Sequence, residues 1–152
     1  MPASIYKLHV HLDRGKLDNI PSSVRQQLNV ALRKAAIEIR NAVRNAAPKD
    51  KGALAASVYA VAPGYNSYAS AVAKASLLRP GVKWLSRDEA EESSARVPNV
   101  AIIAMAAPYG GYVEYGTSRN SAQPFFYRTI DEYRYKYFDI INQAVAKGVE
   151  SA

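Results

Sequence analysis

At 152 residues, with 49% hydrophobic and 22% charged side chains, the chain has the composition of one folded soluble domain with a sizeable core. It has no cysteine, which excludes disulfide stapling, thiolate catalysis and Cys-ligated zinc, and no apolar run approaches the length of a bilayer span. The net charge of +7 is uneven: residues 1–52 hold ten Lys/Arg against Asp13, Asp18, Glu38 and Asp50, whereas residues 53–152 hold ten against nine. Such a basic first third suits either an acidic partner such as nucleic acid or a solvated helix face.

The opening, MPASIYKLHVHLDRGK, lacks a cationic region followed by an apolar block and is read as no secretory signal. Within it, Ser4–Leu12 alternates, with Tyr6, Leu8, Val10 and Leu12 on one face, and predicts a strand. From Pro21 to Ala46 the period becomes helical: Val24, Leu28, Leu32, Ala35, Ile39, Ala42 and Ala46 form one stripe, with Pro21 at the first helical position and Pro48 and Gly52 beyond the end. At about 100° per residue, Val30 and Ile37 fall opposite that stripe, with Arg33, Arg40 and Arg44 close by. Two apolar positions on the far side suggest a second packing partner, against the plain reading of isolated surface aliphatics.

Ala56–Pro63 and Ser67–Ser76 alternate weakly around PGYN and predict a β-hairpin. Leu77–Asn99 is polar, acidic at its centre and contains prolines near both ends. Ser86 with Glu89 fits a capping box for a short helix, with a loop between strands as the alternative. Val100–Ala107 is continuously apolar, as a central strand would be. Ala107–Gln123 reads as a loop rich in glycine and tyrosine. From Pro124 a helical stripe runs through Phe126, Ile130, Tyr133, Tyr137, Ile140, Ile141 and Ala144. Tyr127, Tyr135 and Phe138 lie off that stripe, as interface aromatics do, or pack under the 77–99 stretch. The chain is therefore expected to be α+β: a single domain over 1–152, a mostly antiparallel sheet packed by a long N-terminal and a long C-terminal helix, and a long loop or insertion at about 77–99.

Chemistry is sparse. His9 and His11 share a strand face but have no third ligand nearby in sequence, so no metal site is expected. There is no G-x-S-x-G elbow, no phosphate-cradling loop and no calcium-loop spacing among Asp88, Glu89, Glu91 and Glu92. Catalysis and cofactors are not expected. Arg25, Arg33, Arg40 and Arg44 occupy one sector of the first helix and could touch phosphates without reading sequence, or face an acidic loop such as Asp88–Glu92. Non-specific nucleic-acid binding by this basic helix is the alternative function.

One further pattern joins distant segments: Ala47-Pro48, Gly52 and Leu54, then Tyr109, Val113-Glu114-Tyr115-Gly116-Thr117, then Pro124-Phe125. This layout, from about Pro21 to the end, resembles the tail-completion, or head–tail joining, family of tailed bacteriophages. Lys51 stands where that family usually has Thr, and Leu77–Asn99 is longer and more acidic than the family's connection. The resemblance implies a structural virion protein of the neck: a homo-oligomeric ring, six copies being expected and twelve the alternative, that joins the head and portal complex to the tail and lets DNA pass. Its partners would be copies of itself, neighbouring neck, portal-adaptor and tail-tube or tail-terminator proteins, and transiently the genomic DNA, with no membrane. Its place would be the virion, after assembly in the host cytoplasm.

Residue chemistry suits that role without a reaction. Gly116 is expected to take a positive φ, Pro124 to start the last helix, and Phe125 and Phe126 to plug it onto the sheet. Glu114 is expected to accept hydrogen bonds from backbone N–H groups or to pair with Arg119. Tyr109, Tyr112 and Tyr115 offer contact area with a polar tip. With Glu114, Thr117, Tyr127, Tyr135, Phe138, Val30 and Ile37 they are the candidate interface residues.

Overall fold

The structure, a computed structural model, describes residues 7–11, 21–48, 52–91, 100–119 and 121–150. Strand β1 (Lys7–His11) falls within the expected first strand. Helix α1 (Ser22–Ala46) follows, with Pro21 one residue earlier than expected, at the N-cap, where its carbonyl accepts from the Val24 and Arg25 N–H groups. The helix ends at Ala47, whose extended backbone suits the residue before a proline. Its buried line is Val24, Leu28, Ala31, Leu32, Ala35, Ala36, Ile39 and Val43. Ala42 is half-buried and Ala46 exposed, contrary to the expected stripe, because Val43 has more apolar surface to bury than Ala42 and takes the core position beside Ala47.

Gly52, at φ 75°, opens a single turn, α2 (Ala53–Ala56). Strand β2 (Val58–Ala62) then turns through Pro63-Gly64 into β3, only Tyr65–Asn66. The second strand expected over Ser67–Ser76 is instead helix α3 (Tyr68–Leu78). Alternation of alanine with serine carries little strand information, whereas alanine is the strongest helix former. Ala71 and Ala75, four residues apart, are the positions α3 buries. Beyond it, α4 (Arg87–Ala90) begins with both halves of the expected capping box: the Glu89 N–H donates to Ser86 Oγ at 3.2 Å, and the Ser86 N–H donates to Glu89 Oε1 at 3.2 Å. Residues 92–99 of the expected insertion lie outside the described set. Strand β4 (Val100–Met105), helix α5 (Gly110–Tyr115) and helix α6 (Phe126–Glu150) complete the chain.

The sheet order is β1-β4-β2-β3, with every pairing antiparallel. The apolar strand β4 is central, as its composition predicts: Ile103 faces Leu8 on one side and Ala60 on the other. Both faces of β2 and β4 are covered, and their side chains divide with period two. Val58, Ala60, Ala62, Ala101, Ile103 and Met105 join Leu32, Ala36, Ile39 and Val43 of α1 in the main core, together with Phe125, Phe126 and Ile130. Tyr59, Ile102 and Ala104 point the other way, into a second cluster with Ala71 of α3 and Ala90 of α4.

Helix α6 runs antiparallel to α1. Ser23 Oγ, near the start of α1, donates to the Gly148 carbonyl at 3.1 Å near the end of α6, and Lys136 meets Glu38 at 3.5 Å midway. The fold is thus α+β, an antiparallel sheet packed by long N- and C-terminal helices. Among the described residues no helix is long and apolar enough to cross a membrane.

Candidate functional site

The motif between Tyr109 and Thr117 is a helix, not the loop its glycines suggest. Gly110 packs so close to Met105 that an added Cβ would stand 2.9 Å from Cε, so this turn of α5 lies directly on the end of β4. Gly116, at φ 78° and ψ 174°, ends the helix in a conformation essentially restricted to glycine, as expected for that position. Its N–H donates to the Tyr112 carbonyl at 2.8 Å. The chain then returns past α5, where the Gln123 N–H donates to the Val113 carbonyl at 2.8 Å.

That return places Glu114 at the first turn of α6. The carboxylate, 3% exposed, accepts from three consecutive backbone N–H groups: Phe125 at 2.6 Å and Phe126 at 3.1 Å on Oε1, and Tyr127 at 3.1 Å on Oε2. A carboxylate at a helix N-terminus meets unpaired donors and the positive end of the helix dipole together. Of the two roles the sequence allows Glu114, acceptance from backbone N–H groups is the one observed. Phe125 and Phe126 are buried just behind it.

Around this buried cap the tyrosines divide. Tyr115 is 64% exposed; Tyr112 and Tyr127, each 39% exposed, lie nearby in the same motif, and Thr117 is exposed. Tyr109 is set apart: half-buried, it has the Arg79 guanidinium 4.6 Å above its ring centre and the Trp84 ring 6.2 Å away. Elsewhere, Tyr135 is 72% exposed on α6, Val30 is exposed on α1 and Ile37 is half-buried there. Phe138 lies in α6, but its side chain is outside the described set. Sequence reasoning missed Leu77 and Leu78, exposed at the tip of α3. The signal was available only once Ala71 and Ala75 are known to mark the buried face of a helix. Since Arg79 lies over Tyr109, that tip adjoins the start of α5.

Three of the four candidate arginines face the hairpin of their own chain. Arg33 Nε donates to the Pro63 carbonyl at 3.1 Å. Arg40 donates to the Tyr65 hydroxyl and to Asn41 Oδ1, with its guanidinium over the Tyr65 ring. Arg44 Nε donates to the Val58 carbonyl at 2.9 Å; burial, and then the neighbouring Arg40 cation, pull its pKa below the ordinary value. Arg25 is exposed near the start of α1. In the acidic stretch, Glu91 is buried and bonded to Arg87 and Tyr59 within the same chain. Among the described residues no three His, Asp or Glu side chains cluster as a metal site requires.

No family model, curated protein or solved structure matches the chain.

Proposed function

We propose that the protein is a structural component of a tailed-phage neck, a ring-forming subunit that joins head to tail and makes its contacts through the exposed tyrosines of α5 and the start of α6. The observation that carries this reading is the use of Glu114. The motif's only acid is buried as a helix cap, so it is not presented to a substrate, while Tyr112 and Tyr115 on the same short helix are exposed. The motif therefore fixes the backbone on one side and offers aromatic contact area with polar tips on the other, the composition favoured at the centres of protein interfaces.

The apolar tip Leu77-Leu78 and the outward valines Val145 and Val149 give the protomer further sticky positions on different elements. Unlike surfaces meeting head to tail close into a ring when the rotation closes. Six copies match a six-fold tail tube, and the bore passes DNA. Arg33, Arg40 and Arg44 each have donors engaged on the hairpin, which supports assembly over nucleic-acid binding as the principal role.

Negative-stain imaging and native mass spectrometry of the purified protein test this reading. Rings or discrete oligomers are expected, and Tyr112→Ser with Tyr115→Ser should abolish them while leaving the circular-dichroism spectrum unchanged. A double variant that assembles normally, or a wild-type protein that stays monomeric and binds duplex DNA in a salt-dependent way, would overturn it.

A further inference from the structure

The second face of the sheet is covered by α3 and by residues 79–91, and the attachment of 79–91 is thin. Arg79, Pro80, Gly81 and Lys83 are exposed, and only Ala90 and Glu91 are buried. Trp84 and Leu85, half-buried, pack with Ala90 against the cluster of Tyr59, Ile102, Ala104 and Ala106, and Trp84 also reaches the edge of the main core. Among the described residues, one backbone hydrogen bond ties 80–90 to the chain just beyond β4, from the Leu85 N–H to the Ala106 carbonyl at 2.8 Å. The Tyr68 hydroxyl adds a bond to the Leu85 carbonyl at 2.6 Å.

The far end is held differently. Tyr59, fully buried in β2, donates from its hydroxyl to Glu91 Oε2 at 2.8 Å. Arg87 grips the same carboxylate with Nε on Oε2 at 2.8 Å and Nη2 on Oε1 at 3.0 Å. Arg87 and Glu91 belong to the segment and Tyr59 to the sheet, so this triad joins one to the other. Removing a partner from a buried carboxylate is costly, because the charge left behind is uncompensated. Segments with little apolar burial and few backbone bonds open well below the free energy of global unfolding.

We propose that residues 79–91 form a strap that opens as a unit from an otherwise intact fold, with Tyr59, Glu91 and Arg87 as its latch. Opening uncovers Tyr59, Ile102, Ala104 and Ala106. It also withdraws Arg79 and Trp84 from Tyr109, the residue that begins α5, so the state of the strap reaches the tyrosine-bearing helix. The strap is a property of the single chain and stands independently of ring assembly.

Trp84, the chain's single tryptophan, sits in the strap and reports on it directly. In a urea titration, Trp84 fluorescence should change at a lower concentration than the far-ultraviolet circular dichroism, which α1 and α6 dominate. Tyr59→Phe removes one hydrogen bond to a charged acceptor while keeping the ring. It should increase strap opening about tenfold, move the fluorescence transition further down and leave the helix transition nearly in place. Trypsin cleavage after Arg87 under native conditions should rise by the same factor, because cleavage follows the open population when closing is fast. Coincident fluorescence and helix transitions in both proteins, with tryptic cleavage at Arg87 unchanged by Tyr59→Phe, would overturn the proposal.

Discussion

The Glu114 carboxylate accepts the Phe125 amide at 2.6 Å, closing an eleven-residue excursion between two helices. With the Phe126 and Tyr127 amides on the same carboxylate, the bond sets where α6 begins and how it enters the core. Glu114→Ala should lower stability to urea by about 3 kcal/mol, since buried donors lose their acceptor and the helix loses its capping charge. Glu114→Gln should fall between, because its single carbonyl oxygen cannot serve three donors and its amide NH2 would oppose one of them. Urea denaturation followed by circular dichroism gives both values, and a neutral Glu114→Ala would show that the cap has no structural role.

The turn after Glu114 depends on Gly116, whose φ of 78° with ψ of 174° excludes other residues without strain. Gly116→Ala should cost about 1–3 kcal/mol, seen as a lower urea midpoint with an unchanged slope. An unchanged midpoint would mean that the backbone reaches Pro124 by another path.

The two long helices approach closely where Gly148 meets Val24. A Cβ on Gly148 would stand 2.5 Å from Val24 Cα, so the contact is backbone against backbone. Gly148→Ala should push the ends of α1 and α6 apart and cost about 1–3 kcal/mol, despite alanine's better helix propensity. Thermal melts should show a lower Tm, whereas Asn142→Ala, on the exposed face of α6, should stay within about 0.5 kcal/mol of wild type.

Tyr59 gives a pH dependence of defined sign. Burial, and then its hydrogen bond and repulsion with Glu91, push its pKa above the ordinary tyrosine value. The native state therefore holds the phenol proton where the unfolded chain has released it. This contribution is fully present below the unfolded pKa of about 10 and is lost as pH rises above it, at up to about 1.4 kcal/mol per pH unit. Urea midpoints measured between pH 9 and 11 should fall more steeply for wild type than for Tyr59→Phe. Parallel curves would show that Tyr59 ionises freely in the folded protein.

The two long helices, the central strand and the α+β class are legible in the residues alone, because each rests on an apolar pattern: Val24 to Ile39, Phe126 to Ala144, and the unbroken Val100–Ala107. The Gly116 turn is legible as well, whereas the Ser86–Glu89 capping box and backbone acceptance by Glu114 are each one of two readings the residues allow, beside a loop and a pairing with Arg119 respectively. The sequence misleads at Ser67–Ser76 and at Gly110–Tyr115, where small or mixed residues carry no strong period: alanine's helix propensity prevails in the first, and Gly110 packs on Met105 in the second. Which chemical groups meet emerges with the fold: Glu114 with the start of α6, Tyr59 with Glu91, Arg79 and Trp84 with Tyr109, and three arginines of α1 with the hairpin. Those pairings span from 11 to 32 residues of chain, and a one-dimensional pattern records the periodicity of a face without recording what the fold brings against it.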